Sequence, residues 1–219
     1  MGPLPLPLRN RLAELILDAF EPGEARATVL ALARACGADG CAVDAVDADR
    51  LLALGWFESV APCRVRLLGA HRAHARTLAD RAARAASVVR DWRDRGAEGL
   101  TPLLDRVAGL ASHSLFFEVH ELLEPAWLRA VEPVRTALQG LIQVAVAFHH
   151  LENGNHEGAR SLLVEGVAKV AGTGGTLPLD TSGWLVELRA TLAVLAAGGR
   201  PAVIPRWPRP GSPVPGQMR

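Results

Sequence analysis

Apolar positions in the first seventy residues recur at helical spacing and then change period. Leu12, Leu15, Ile16 and Ala19 share one face of a helix predicted from Leu8 to Phe20. Pro22 and Gly23 interrupt it, and a second helix is predicted from Glu24 to Cys36, stopping near Gly37. A third, short helix is predicted from Asp47 to Leu54, with Gly55 where a C-terminal glycine belongs. The period then shortens to that of strands. Trp56–Val60 and Arg64–Leu68 read as two short strands, with Ala61-Pro62-Cys63 as the turn between them.

Three helices followed by a β-hairpin are the layout of a winged helix. The run LLALGWFESVAPCRVRLLG, Leu51 to Gly69, resembles the recognition-helix exit and wing of that superfamily. The stretch from Arg72 to Arg95 reads as one long helix. Its Arg76, Arg81, Arg84, Arg90, Arg93 and Arg95 alternate with Asp80, Asp91 and Asp94, the pattern of a solvated face laced with ion pairs. Gly96 to Gly99 marks a boundary. A helix follows from Leu100 to Ala111, with Thr101 as its cap and Pro102 in its first turn. Further helices are predicted over 114–124, 125–130, 133–151, 156–171 and 182–197. From Gly198 prolines are too dense for helix or central strand, so the end of the chain is expected to be an extended or disordered tail. Trp207 in that tail would dock on a partner or, more simply, pack on its own domain.

The organisation expected is therefore mainly α. Residues 1–69 form a winged-helix-like domain of three helices plus a β-hairpin, 70–112 connecting helices, 113–197 an α-helical array, and 198–219 the Pro-rich tail. Hydrophobic residues at 49% and charged residues at 21% are a globular composition, which sets disorder aside for the rest of the chain. A net charge of +1 argues against a strong overall pull toward nucleic acid or an anionic membrane. Cys36, Cys41 and Cys63 lack a CxxC pair, so neither a disulfide framework nor a zinc site of cysteines is expected. With no signal-peptide pattern at the N-terminus and no apolar run long enough to span a bilayer, a cytoplasmic protein without a membrane segment is expected.

The chemistry concentrates between Ser114 and Leu163. In FFEVHELLE (Phe116 to Glu124) His120 and Glu124 are about 40° apart on a helix, flanked by Phe116, Phe117 and Leu123. Glu121 lies on the shoulder, and Glu118 points nearly the opposite way, toward solvent. In LQGLIQVAVAFHHL (Leu138 to Leu151) the background is apolar, but Gln139, Gln143 and His150 fall within about 40° of each other. Arg135 continues that stripe, whereas His149 looks elsewhere. Buried polar groups need partners, so the stripe is expected to meet His120 and Glu124 on the preceding helix. Pro125 removes an N–H and should kink or restart the first helix. Gly154 and Asn155 read as the cap that ends the second helix and the N-cap that opens the next.

These runs resemble domain-of-unknown-function family 309, small all-helical bacterial and archaeal proteins. The elements of its pattern fall on Phe117, His120-Glu121, Glu124, Trp127, Leu138 to Gln143, His150, Gly154-Asn155 and Gly158-Ala159, and the likeness covers about residues 113–195. It implies a helical array and carries no activity with it.

The candidate cluster is thus His120, Glu121, Glu124, Gln139, Gln143 and His150. It reads as a satisfied structural network, as a ligand pocket, or as a divalent metal site in which His120, Glu124 and His150 ligate and Glu121 serves as base, HExxE being a relative of the HExxH zinc motif. The function expected is a non-enzymatic module binding a protein partner, a small ligand or a second copy of the chain. The alternatives are a metal-dependent hydrolase on His120, Glu124 and His150, and a nucleic-acid-binding regulator acting through the winged helix. Tight duplex binding is not expected, because Asp44, Asp47 and Asp49 flank Arg50 on the helix that would enter the groove, although Arg64 and Arg66 sit on the wing.

Overall fold

The computed structural model describes residues 4–35, 40–92 and 99–211. The chain divides into two compact units, Met1–Asp94 and Arg95–Arg219. The predicted ends at Cys36 and Gly37, the charged residues Arg93, Asp94 and Arg95, the start of the Gly96–Gly99 boundary and the tail beyond Gly211 lie outside the described residues.

In the first unit, helices α1 (Leu6–Asp18) and α2 (Glu24–Ala35) precede a two-residue strand β1 (Cys41–Ala42). Helix α3 (Ala45–Ala53), strands β2 (Phe57–Ala61) and β3 (Arg64–Leu67), a 3-10 turn (Gly69–His74) and helix α4 (Ala75–Asp91) follow. The hairpin is where the change of period placed it. It is joined by β1 on the outer side of β3, giving an antiparallel sheet in the order β1-β3-β2. Strand β1 has two residues, too short for a periodicity to show in the sequence. Cys63, in the hairpin turn, has a φ of 54°. Asp44 caps α3 by accepting from the Asp47 backbone N–H at 2.8 Å.

The apolar faces of these elements converge on Leu12, Ile16, Phe20, Leu32, Leu51, Leu67 and Leu78, all fully buried. The Trp92 indole meets Phe20 edge-on, with centroids 4.9 Å apart. Helix α4 corrects two expectations. The chain over 69–74 is a 3-10 turn, so the helix starts at Ala75 rather than near Arg72. Arg81 is buried, not solvated, because it follows Leu78 by three positions on the face that also buries Ala82 and Ala85. The exposed part of the pattern does carry an ion pair, Arg84 to Asp80 at 2.7 Å.

The second unit is a succession of helices: α5 (Leu100–Ser112), α6 (Phe116–Arg129), α7 (Val134–Glu152), α8 (His156–Gly172) and α9 (Ser182–Ala196). Each packs against the next, so α7 lies between α6 and α8. The N-cap of α5 is Gly99 rather than Thr101, with no side-chain cap bond. The α7–α8 contact is backbone-close. A Cβ on Gly140 would lie 2.9 Å from Val170 Cγ2, and one on Gly166 would lie 3.0 Å from the Gly140 carbonyl. Asn155 opens α8 as expected, accepting from Gly158 N–H at 3.0 Å, after Gly154 at φ 76°.

One expectation fails here. Helix α6 runs unbroken through Pro125, where two helices were predicted. Proline removes one ladder bond, but packing on both sides of that residue, Leu123 in the core and Trp127 under Arg135, holds the helix together. From Gly198 to Gly211 the tail carries no helix or strand, and Trp207 packs on its own unit, the simpler of the two readings: it is buried against Trp184 of α9, and Arg209 donates to the Asp105 carboxylate of α5 at 2.7 Å. Among the described residues no helix is long and apolar enough to cross a membrane.

Candidate functional site

The α6–α7 pair is antiparallel, and aromatic side chains set its register. Phe116 meets Phe148 with ring centroids 5.3 Å apart, and Phe117 meets His149 at 5.6 Å. At the other end the Arg135 guanidinium lies over the Trp127 indole, 5.1 Å from its centroid. Phe117, His120, Glu124 and Trp127 share one face of α6, within about 80° of one another.

On that face three polar side chains come together. His120 Nδ1 and Glu121 Oε1 are 3.0 Å apart. Single ligand atoms of His120, Glu121 and Glu124 all lie within 4.8 Å of one another. His120 and Glu121 expose 27% and 34% of their side chains, so the cluster sits at the surface of the helix pair with solvent access. This differs from the buried stripe expected: the flanking Phe116, Phe117 and Leu123 are in the core, and the polar groups lie at its edge. The His120 ring also approaches Phe117, with centroids 6.2 Å apart, leaving Phe117 between His120 and His149.

The α7 half of the stripe does not join this cluster. Gln143 donates to Glu165 of α8 at 2.6 Å. His150 Nδ1 accepts from the Asn155 amide at 3.0 Å, at the start of α8. Gln139 is half-buried on the same side of α7. The reason lies in the Gly140–Gly166 contact. Gly140 turns its face to α8, and Gln143 and His150 are about 60° and 80° from Gly140, which carries them to the rim of the α7–α8 interface. His149 is about 180° from Gly140 and so faces α6, the reverse of the expectation that it would look elsewhere. His150 therefore stands apart from His120 and Glu124, and Glu121 takes the third position of the group.

Glu118 was expected in solvent and is fully buried. Helix α6 is covered by α5 as well as by α7, so the side opposite His120 is also interior. That second neighbour is invisible to the periodicity of α6 alone. A groove of about 690 Å³ lies on the far side of α6 from His120, lined among others by Leu103, Leu122, Ala126, Arg129, Val134 and Leu138. None of the three clustered residues lines it.

The comparison with known families falls on this helix pair. Residues 104–162 match the model of a domain of unknown function, DUF309. The DUF309 match begins within α5 and ends within α8, so it contains the His120–Glu121–Glu124 cluster, all of α7 and the Asn155 cap. The match starts earlier than the likeness over about 113–195 and stops sooner, at Leu162. No curated protein and no solved structure matches the chain.

Proposed function

We propose that the chain is a cytoplasmic, non-enzymatic binding module whose ligand seat is the polar face of α6 within the DUF309 segment. The observation that carries this reading is the grouping of His120, Glu121 and Glu124 within 4.8 Å at a half-exposed position. Such a group offers an imidazole and two carboxylates to a polar ligand without the full cost of burying them. Arg135 over Trp127 borders the same face of α6 with a cation. A hydrolase built on His120, Glu124 and His150 is the weaker reading, because His150 is engaged with Asn155.

The test is an NMR titration of the full chain with zinc, magnesium, citrate, phosphate and spermidine. Probes that bind should shift resonances of residues 117–127, and His120→Ala and Glu124→Gln should remove the response. If no probe perturbs that segment, the reading is wrong.

A second reading concerns the first unit, which we propose to be a winged-helix-like surface for protein pairing, with a protein partner or a second copy of the chain. What favours it over nucleic acid is the state of its arginines. Arg50 is paired with Glu24 at 2.7 Å and with the buried Asp47 at 3.2 Å. Arg66 and Arg72 both reach Glu58, at 2.8 and 3.1 Å. Cations already neutralised within the unit release few counterions from a phosphate backbone. Light scattering after size-exclusion chromatography tests self-pairing, which a strict monomer at all concentrations would eliminate.

A further inference from the structure

We propose that His120, Glu121 and Glu124 bind one divalent first-row transition-metal ion. The inference rests on the reading of the α6 face as a ligand seat and names the ligand. The ligand set differs from the one expected from sequence, since Glu121 replaces His150.

The geometry comes first. Two donors on one such ion, each at about 2.0–2.2 Å, are at most about 4.4 Å apart. The three ligand atoms here lie within 4.8 Å of one another, and rotations of their partly exposed side chains bring them to the roughly 3.4 Å that donors at tetrahedral angles have. His120 and Glu124 are i, i+4 neighbours one helical turn apart, the spacing at which two side chains reach a common point. Glu121 Oε1 is already 3.0 Å from His120 Nδ1, a separation that two adjacent donors on one ion can have.

Electrostatics points the same way. Two carboxylates held this close repel each other, and a dication between them removes the repulsion. Pro125 has no N–H to give to the Glu121 carbonyl, so the same turn also carries a backbone acceptor outside the regular helical ladder. The donor set selects among cations. One imidazole with two carboxylates suits zinc, manganese or iron, and the imidazole disfavours calcium and magnesium. Three protein donors leave at least one coordination position for water or an outside donor, consistent with the exposed side of the cluster.

The test uses the chelator-stripped full chain, titrated by calorimetry with Zn²⁺ and Mn²⁺ and by absorption with Co²⁺. One equivalent of Zn²⁺ is expected, bound more tightly than Mg²⁺. His120→Ala and Glu124→Gln should each weaken Zn²⁺ by about tenfold or more. Glu121→Gln should also weaken it, while His156→Ala, at the exposed start of α8, should not. Circular dichroism of each variant controls for folding, and the two Glu→Gln changes keep side-chain shape. Absence of saturable binding, or binding that the His120 and Glu124 variants leave intact, overturns the proposal. If Zn²⁺ fails but citrate or spermidine shifts residues 117–127, the metal falls and the ligand seat stands. If nothing perturbs α6, both fall.

Discussion

The indole of Trp207 packs against that of Trp184, with ring centroids 4.8 Å apart and planes at 53°. Each is 4% exposed, so a segment without regular structure supplies a core aromatic to the second unit. Replacing a buried aromatic by alanine costs about 3–5 kcal/mol. Trp207→Ala in the full chain should therefore lower the unfolding free energy of the second unit, read from urea curves, by an amount in that range. A loss below about 1 kcal/mol would mean that the tail is a passenger, since such a value is within reach of ordinary surface changes.

The α7–α8 contact has no room for a methyl group at Gly166, where a Cβ would meet Val144 Cγ2 at 2.9 Å and two backbone atoms at 3.0 Å. Gly166→Ala should destabilise by about 1–3 kcal/mol through overpacking. Gly183, in α9, has open space around the same position. There Gly→Ala should stabilise, by up to about 1 kcal/mol from helix propensity. Denaturation curves of the two variants should move in opposite directions, and a shift in the same direction would contradict the close packing described.

Arginine partners hold three exposed carboxyls below their ordinary value of 4.5: Glu24 through Arg50, Glu58 through Arg66 and Arg72, and Glu157 through Arg160. A carboxyl whose folded pKa is depressed adds stability that is complete above its unfolded value and is lost as pH falls through the folded one. Melting temperature should thus be insensitive to these groups near neutrality and decline in acid, below 4.5. Glu58→Gln should flatten part of that acid decline. Parallel curves for the variant and the parent over the acid range would remove Glu58 as a contributor.

Nucleic acid gives the sharpest negative expectation. With Arg50 and Arg66 committed to Glu24, Asp47 and Glu58, the full chain should give no salt-sensitive gel shift of duplex DNA at submicromolar protein. A shift that the Arg64→Ala, Arg66→Ala double variant abolishes would restore the wing as a DNA contact.

Much of the architecture was legible along the chain, because apolar spacing reports the face of each helix and the hairpin announces itself by a change of period. The site was legible only in part, and the residues show why. Periodicity gives angles around one helix but does not say which neighbour occupies each side. His120, Glu121 and Glu124 lie on one turn, so their grouping followed from local geometry. Gln143 and His150 depended on where α8 would come to rest, and the signal that fixes it is Gly140 with its counterpart Gly166, two residues that carry no side chain to announce a polar role. Glu118 depended in the same way on α5, and Trp207 on a surface of α9 distant in sequence.

That His120, Glu121 and Glu124 all belong to a single turn of α6 has a mechanical consequence. A site assembled from several elements works as a clamp, drawing them together when it fills. A site on one turn works as a splint. Occupancy should slow amide hydrogen exchange along α6 around Pro125, where the helix lacks a bond, and leave the exchange of α8 and α9 unchanged.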